Sequence, residues 1–107
     1  MKEQLIKLAK EKGFSNKVNY KEGIFYAEDI LEDHKAYYLW LCLLQRWLRE
    51  KKEIFVCVES GYDRMGKYNR GFNLDVNGGS IYDDNDVFEE YEEALERGLM
   101  RGLELIE

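Results

Sequence analysis

The segment Tyr37-Tyr38-Leu39-Trp40-Leu41-Cys42-Leu43-Leu44-Gln45-Arg46-Trp47-Leu48-Arg49 constrains this chain more than any other. Eight apolar or aromatic residues run together, Tyr37 to Leu44, before the first polar one. Wound as a helix, the segment carries apolar side chains around most of its circumference. A one-sided surface helix shows only a stripe, so this helix must be enclosed by the rest of the chain or by a partner. It marks the centre of the fold and carries no chemistry of its own.

A chain of 107 residues supports one hydrophobic core, which predicts a single domain over 1–107. Apolar residues make up 45% and charged residues 36%, the balance of an ordinary water-soluble globular protein. No apolar run approaches the roughly 18 residues of a membrane span. The start Met1-Lys2-Glu3-Gln4 lacks the apolar stretch of a secretion signal, which predicts a cytoplasmic protein without membrane contact. Cys42 and Cys57 sit in apolar segments with no CxxC partner and read as buried, reduced thiols.

The net charge of −6 is unevenly spread. Residues 1–21 sum to +4, 22–34 to −5, 35–54 to +3, 55–82 to zero and 83–107 to −8. An acidic total opposes general nucleic-acid binding, because Lys and Arg supply phosphate contacts. It leaves room for a local basic patch.

Leu5, Leu8 and Ala9 form an apolar stripe between Lys2 and Lys12, a first helix stopped by Gly13, with Phe14 folding back. Ile24-Phe25-Tyr26-Ala27 reads as a short strand, and Asp33 begins a central helix that ends near Lys51. Ile54, Val56 and Val58 then alternate with Phe55, Cys57 and Glu59, the period of a strand. A loop over Gly61–Asn69 leads to a second strand carrying Phe72, Leu74 and Val76. Asn77-Gly78-Gly79 predicts a tight turn into a third strand, Ser80-Ile81-Tyr82. The last helix begins at an Asp86/Glu89 capping box or nearer Glu90, with Phe88, Tyr91, Leu95, Leu99, Leu103 and Ile106 as its core stripe. The order α-(β)-α-β-β-β-α predicts an α+β two-layer sandwich, an antiparallel three-stranded sheet with helices packed on one face. Trp40, Leu44, Trp47, Leu95 and Leu99 should share its core with Val56 and Val58.

Two helical blocks carry a family resemblance. Leu43-Leu44-Gln45-Arg46-Trp47-Leu48-Arg49-Glu50 resembles the "LLQxWLRE" block of small uncharacterised proteins of Bacteroides-type gut bacteria and their mobile elements. Tyr91-Glu92-Glu93-Ala94-Leu95-Glu96-Arg97-Gly98-Leu99 resembles the "YEEALExGL" block near their C-terminus. The likeness covers roughly residues 40–106 and leaves the N-terminal third unmatched. It implies the architecture and brings no activity or catalytic residue with it.

Reactive constellations are missing from the sequence. His34, the one histidine, lies in an acidic run and reads as a surface or capping residue, so no triad forms around it. Cys42, Cys57 and His34 lack metal-ligand spacing. Asp75, Asn77 and Asp86 imitate a calcium loop, but Gly79 and Ser80 fall where an oxygen ligand and the turn glycine belong. Glu89, Glu90, Glu92, Glu93 and Glu96 read as one exposed helical face, without the differing environments that acid–base catalysis needs. The reading is a protein without catalysis, cofactor or metal.

Two features point to binding. Tyr62-Asp63-Arg64-Met65-Gly66-Lys67-Tyr68-Asn69-Arg70-Gly71-Phe72 interleaves cations with aromatics. Arg64, Lys67, Tyr68 and Arg70 are its candidate contacts to a single-stranded nucleic acid, cations to phosphate and rings to bases. Ala94, Gly98 and Gly102 form a smooth helical ridge that implies close approach of another element, in the same chain or in a second copy. With Tyr37, Tyr38, Trp40 and Leu41 they form a candidate protein interface, which favours a homodimer. Three functions remain in play: a protein-binding domain, foremost; a single-strand binder acting through residues 62–72; and an acidic decoy whose last helix mimics a nucleic-acid backbone.

Overall fold

A computed structural model describes residues 2–20, 23–29, 32–62, 68–77, 79–80 and 90–106, with the backbone alone at 20, 59–62, 68–75 and 79–80. The fold is α+β, three helices with a small antiparallel sheet among the described residues.

Helix α1, Lys2–Glu11, buries Leu5, Ile6 and Ala9. It stops where the sequence places its glycine. Gly13 takes a φ of 101°, its N–H donates to Lys10 O at 3.1 Å, and the Phe14 N–H donates to Ala9 O at 2.9 Å. These paired bonds satisfy two of the carbonyls a helix end leaves open. Phe14 is thereby turned back onto the core, 6.0 Å from the Trp40 ring.

The central helix α2 spans His34–Lys52, and Asp33 caps it by accepting from the Ala36 N–H at 3.1 Å. It buries Ala36, Tyr37, Trp40, Leu41, Leu44 and Leu48, while Tyr38, Leu39, Leu43 and Trp47 pack half-buried around them. The chain itself therefore encloses most of this helix. At its C-terminal end Glu53 adopts a left-handed φ of 55°, which lets the Glu53 and Ile54 N–H groups both turn back to Leu48 O.

Strands β3, Val56–Tyr62, and β4, Tyr68–Val76, pair antiparallel with Val56 opposite Val76 and Val58 opposite Leu74. Asn77 closes this ladder twice. Its N–H donates to Phe55 O and its side-chain oxygen accepts from the Phe55 N–H, both at 2.8 Å. The positive φ of Asn77, 56°, matches the predicted tight turn. Beyond it, β5, Gly79–Ser80, bridges Val76 and Asp75. Alternation holds at the start of β3: Ile54 and Val56 are buried, while Phe55 and Cys57 face out. Gln45 of α2 donates to Val56 O at 2.6 Å, on the side of β3 away from β4.

Helix α3, Tyr91–Glu104, lies against β3, β4, α1 and α2 and buries Leu95, Leu99 and Leu103. One core cluster joins all three helices to Val18 and the central hairpin.

Several expectations change. The predicted strand at residues 24–27 is β2, Gly23–Tyr26, and it pairs with an unforeseen β1, Lys17–Tyr20, as a separate two-stranded ribbon. Among the described side chains of the ribbon Val18 alone is fully buried, too weak a pattern for β1 to show in the sequence. Ala27 leaves the strand and opens a 3-10 turn, Ala27–Asp29. The predicted loop 61–69 is shorter, because β3 runs through Tyr62 and β4 begins at Tyr68. Of the two predicted starts of α3, the nearer one holds: Glu90 is the N-cap, no side chain caps it, and Asp86 lies outside the described residues. Cys57 is exposed, since the alternation places it on the outer face, and Cys42 is half-buried. Tyr91 is exposed rather than in the core stripe, and it packs at the edge against Tyr38 with ring centroids 6.3 Å apart.

Candidate interaction surface

The described residues of the 62–72 segment, Tyr62 and 68–72, are strand. Tyr62 pairs with Tyr68, and Arg70 lies within β4. Arg64 and Lys67, like the acidic segment at 83–89, lie outside the described residues. The structure thus does not gather Arg64, Lys67, Tyr68 and Arg70 into a described site.

The predicted protein interface is interior. Tyr37, Trp40, Leu41, Ala94, Gly98 and Gly102 are all buried within one chain, and Tyr38 is half-buried. A dimer through these residues would have to open the core. The ridge serves packing inside the chain. A Cβ at Gly102 would meet Leu48 Cδ1, Ile54 Cγ2 and Val56 Cγ2, each at 3.2 Å. The Trp40 indole N–H is buried with no hydrogen-bond partner among the described residues, as is the Asn16 side-chain oxygen.

Polar contacts knit the helices together where the sequence shows only an acidic face. The Tyr37 hydroxyl donates to Glu96 Oε2 at 2.9 Å. Lys2 Nζ sits 4.7 Å from the centre of the same ring. Burial, then the Glu96 bond and the nearby carboxylates, pushes the Tyr37 hydroxyl far above its ordinary value. Burial also raises Tyr38, to about 12, with Cys42 and Tyr91 beside it. His34 Nε2 lies 2.8 Å from Glu92 Oε1. Glu92 and Glu96 are therefore tied to α2, and the exposed side of α3 mixes Glu93 and Glu104 with Arg97 and Arg101. The described part of α3 presents no unbroken negative stripe.

The surface offers two features that the sequence reading missed. The first is the outer face of the ribbon. Register puts Lys17 opposite Tyr26 and Asn19 opposite Ile24 on that face, while Val18 turns inward. Ile24 is 63% exposed and Tyr26 49% on that face, and Phe25 between them, on the face of Val18, is still 40% exposed. Three consecutive large apolar residues are thus solvated on a short strand. Their signal was the apolar run itself, read as a core strand because nothing in the sequence shows which runs the core will leave uncovered.

The second is a groove of about 270 Å³ where the α1–β1 connection meets α2. Phe14, Leu43 and Trp47 form its floor, with Phe14 and Trp47 tilted together at 5.3 Å. Lys17, Arg46 and Lys51 stand around it, and the one acid lining it, Glu50, pairs with Arg46 at 3.1 Å. Lys52 Nζ lies 5.5 Å from the centre of the Trp47 ring. The signal here was the charge profile: folding joins the basic segments 1–21 and 35–54 at one place.

A wider, open hollow of about 600 Å³ is lined by Lys52, Glu53, Ile54, Asn77, Leu105 and Ile106. Among the described residues no three His, Cys, Asp or Glu side chains group as a metal site, and no helix is long and apolar enough to cross a membrane. No protein family, curated protein or solved structure was found that matches the chain.

Proposed function

We propose that this chain is a protein-binding domain of the cytoplasm, without catalysis of its own, and that the β1–β2 ribbon is its docking element. The observation that carries the reading is the exposure of Ile24, Phe25 and Tyr26 on a two-stranded ribbon that, among the described residues, pairs with no other strand. Monomeric proteins blunt such edges with charge or cover, and an uncovered apolar strand is a template for a partner's strand or side chains. The rest of the chain is read as its support: two layers, with the helices on one face of a three-stranded sheet formed by β3, β4 and β5.

The test replaces Ile24 and Tyr26 together by Lys and captures partners from the native host. Both residues face solvent, so thermal unfolding should change little. Wild type should retain a protein that the double variant loses. Retention of the same protein by both would remove the ribbon from the interface.

A further inference from the structure

We infer that the groove between the α1–β1 connection and α2 holds an acidic peptide segment of the partner, anchored by one large apolar side chain. This rests on the protein-binding reading of the chain.

The argument begins with charge. The molecule is acidic overall, at −6, yet this groove is rimmed by cations drawn from two distant stretches of sequence. Lys17 comes from the start of β1, and Arg46, Lys51 and Lys52 come from α2. Glu50 is the single acid among the lining residues, and it answers only Arg46. Lys17 and Lys51 have no anionic partner among the described residues. Like charges gathered around an apolar floor repel one another, and an occupant rich in Asp and Glu removes that repulsion while gaining attraction from Lys17 and Lys51.

Size and floor set the anchor. About 270 Å³ falls just below the range of ligand pockets, which run from about 300 to 1,000 Å³. That is room for one large side chain rather than a cofactor. Phe14, Leu43 and Trp47 are each half-buried, so an incoming leucine or phenylalanine would complete their burial. The same geometry disfavours a nucleobase. Lys52 already sits over the Trp47 ring and Phe14 tilts against it, so the indole offers no open stacking platform.

The probe is a dye-labelled synthetic peptide of Asp and Glu around a central Leu-Phe pair, followed by fluorescence anisotropy on the full chain. Saturable binding that weakens with added salt is expected. Lys17→Glu with Lys51→Glu should weaken it roughly tenfold or more. Both residues are exposed, so circular dichroism and thermal unfolding should stay as in wild type. Replacing the Leu-Phe pair of the peptide by Ser-Ser should weaken binding on the unaltered protein. Three results would each overturn the inference. The first is no saturable change, or a change indifferent to the charge reversal. The second is an oligothymidylate bound as tightly as the peptide, which would make the groove a nucleic-acid site. The third is wild-type self-association in sedimentation that the charge reversal abolishes, which would make the occupant a second copy. Host-partner capture by the charge-reversed protein separates the two proposals: a partner kept there but lost on the ribbon variant leaves the ribbon reading intact and sinks this one.

Discussion

Tyr37 shows how much one residue can connect. Its ring is buried against Trp40, Lys2 lies over it, and its hydroxyl reaches Glu96 on another helix. In the unfolded chain a tyrosine ionises near pH 10. In the fold, burial and the Glu96 bond hold the Tyr37 proton well past that point. The unfolded state therefore loses a proton that the folded state keeps. The stability this site contributes is complete below about pH 10 and falls above it, by about 1.4 kcal/mol per pH unit for one group. Tyr38 adds to the loss until about pH 12. Urea titrations between pH 9 and 11 should show a steep decline in wild type and a shallower one in Tyr37→Phe. Equal slopes would show that Tyr37 ionises as readily in the fold as in the unfolded chain. Gly102 makes the opposite kind of point, a residue defined by what it lacks. Alanine there gains about 1 kcal/mol of helix propensity. Its Cβ would press on three side chains at once, each at 3.2 Å, and overpacking typically costs about 1–3 kcal/mol. Gly102→Ala should therefore destabilise the protein in urea denaturation. A stabilised variant would mean that Leu48, Ile54 and Val56 yield freely.

At the scale of elements, legibility followed periodicity and stop signals. The central helix, with Asp33 as its cap, and the Gly13 stop of α1 were readable because each rests on local backbone chemistry. So was the opposite facing of Phe55 and Val56, from strand alternation. The ribbon was half readable: β2 showed as an apolar run, but its exposure depends on which elements arrive to cover it. The interface residues failed for the complementary reason. Tyr37, Trp40 and Leu41 look too apolar for a chain of this size to cover, yet α3 and β1 supply the cover. The end of α2 carries a detail that no periodicity reveals. Glu53 holds a left-handed φ of 55° without being glycine, a conformation that costs an L-residue roughly 1–2 kcal/mol. Glycine there escapes the strain and gives back about 0.5–1 kcal/mol through greater freedom in the unfolded chain. Glu53 is exposed, so Glu53→Gly should leave stability unchanged or raise it by up to about 1 kcal/mol. Calorimetric unfolding checks the sign, and a clear loss would show that the Glu53 side chain contributes more than its backbone costs.

The whole molecule is closed by contacts between its two ends. Lys12, just past the end of α1, donates from Nζ to Ile106 O at 2.8 Å, across 94 residues of sequence. A cation at that place meets the negative end of α3 and occupies a carbonyl that the helix leaves open. Leu5, Ile6 and Ala9 join the same core as Leu99 and Leu103, so the first and last helices depend on each other. The N-terminal third is thus part of the core rather than an appendage. It also supplies both proposed docking features: the ribbon entirely, and Phe14 and Lys17 of the groove. Lys12→Met keeps most of the aliphatic stem and removes the ammonium. Loss of a charged hydrogen bond and of the favourable dipole contact should cost roughly 1–2 kcal/mol. Hydrogen exchange supplies the sharper readout. The N–H groups of Leu105 and Ile106, which bond to Gly102 O and Leu103 O, should exchange faster in the variant, while those of the central helix should slow or quicken only with global stability. Unchanged exchange at Leu105 and Ile106 would mean that the last turn of α3 is held by the packing of Leu103 alone, and that the two ends of the chain meet without this tie.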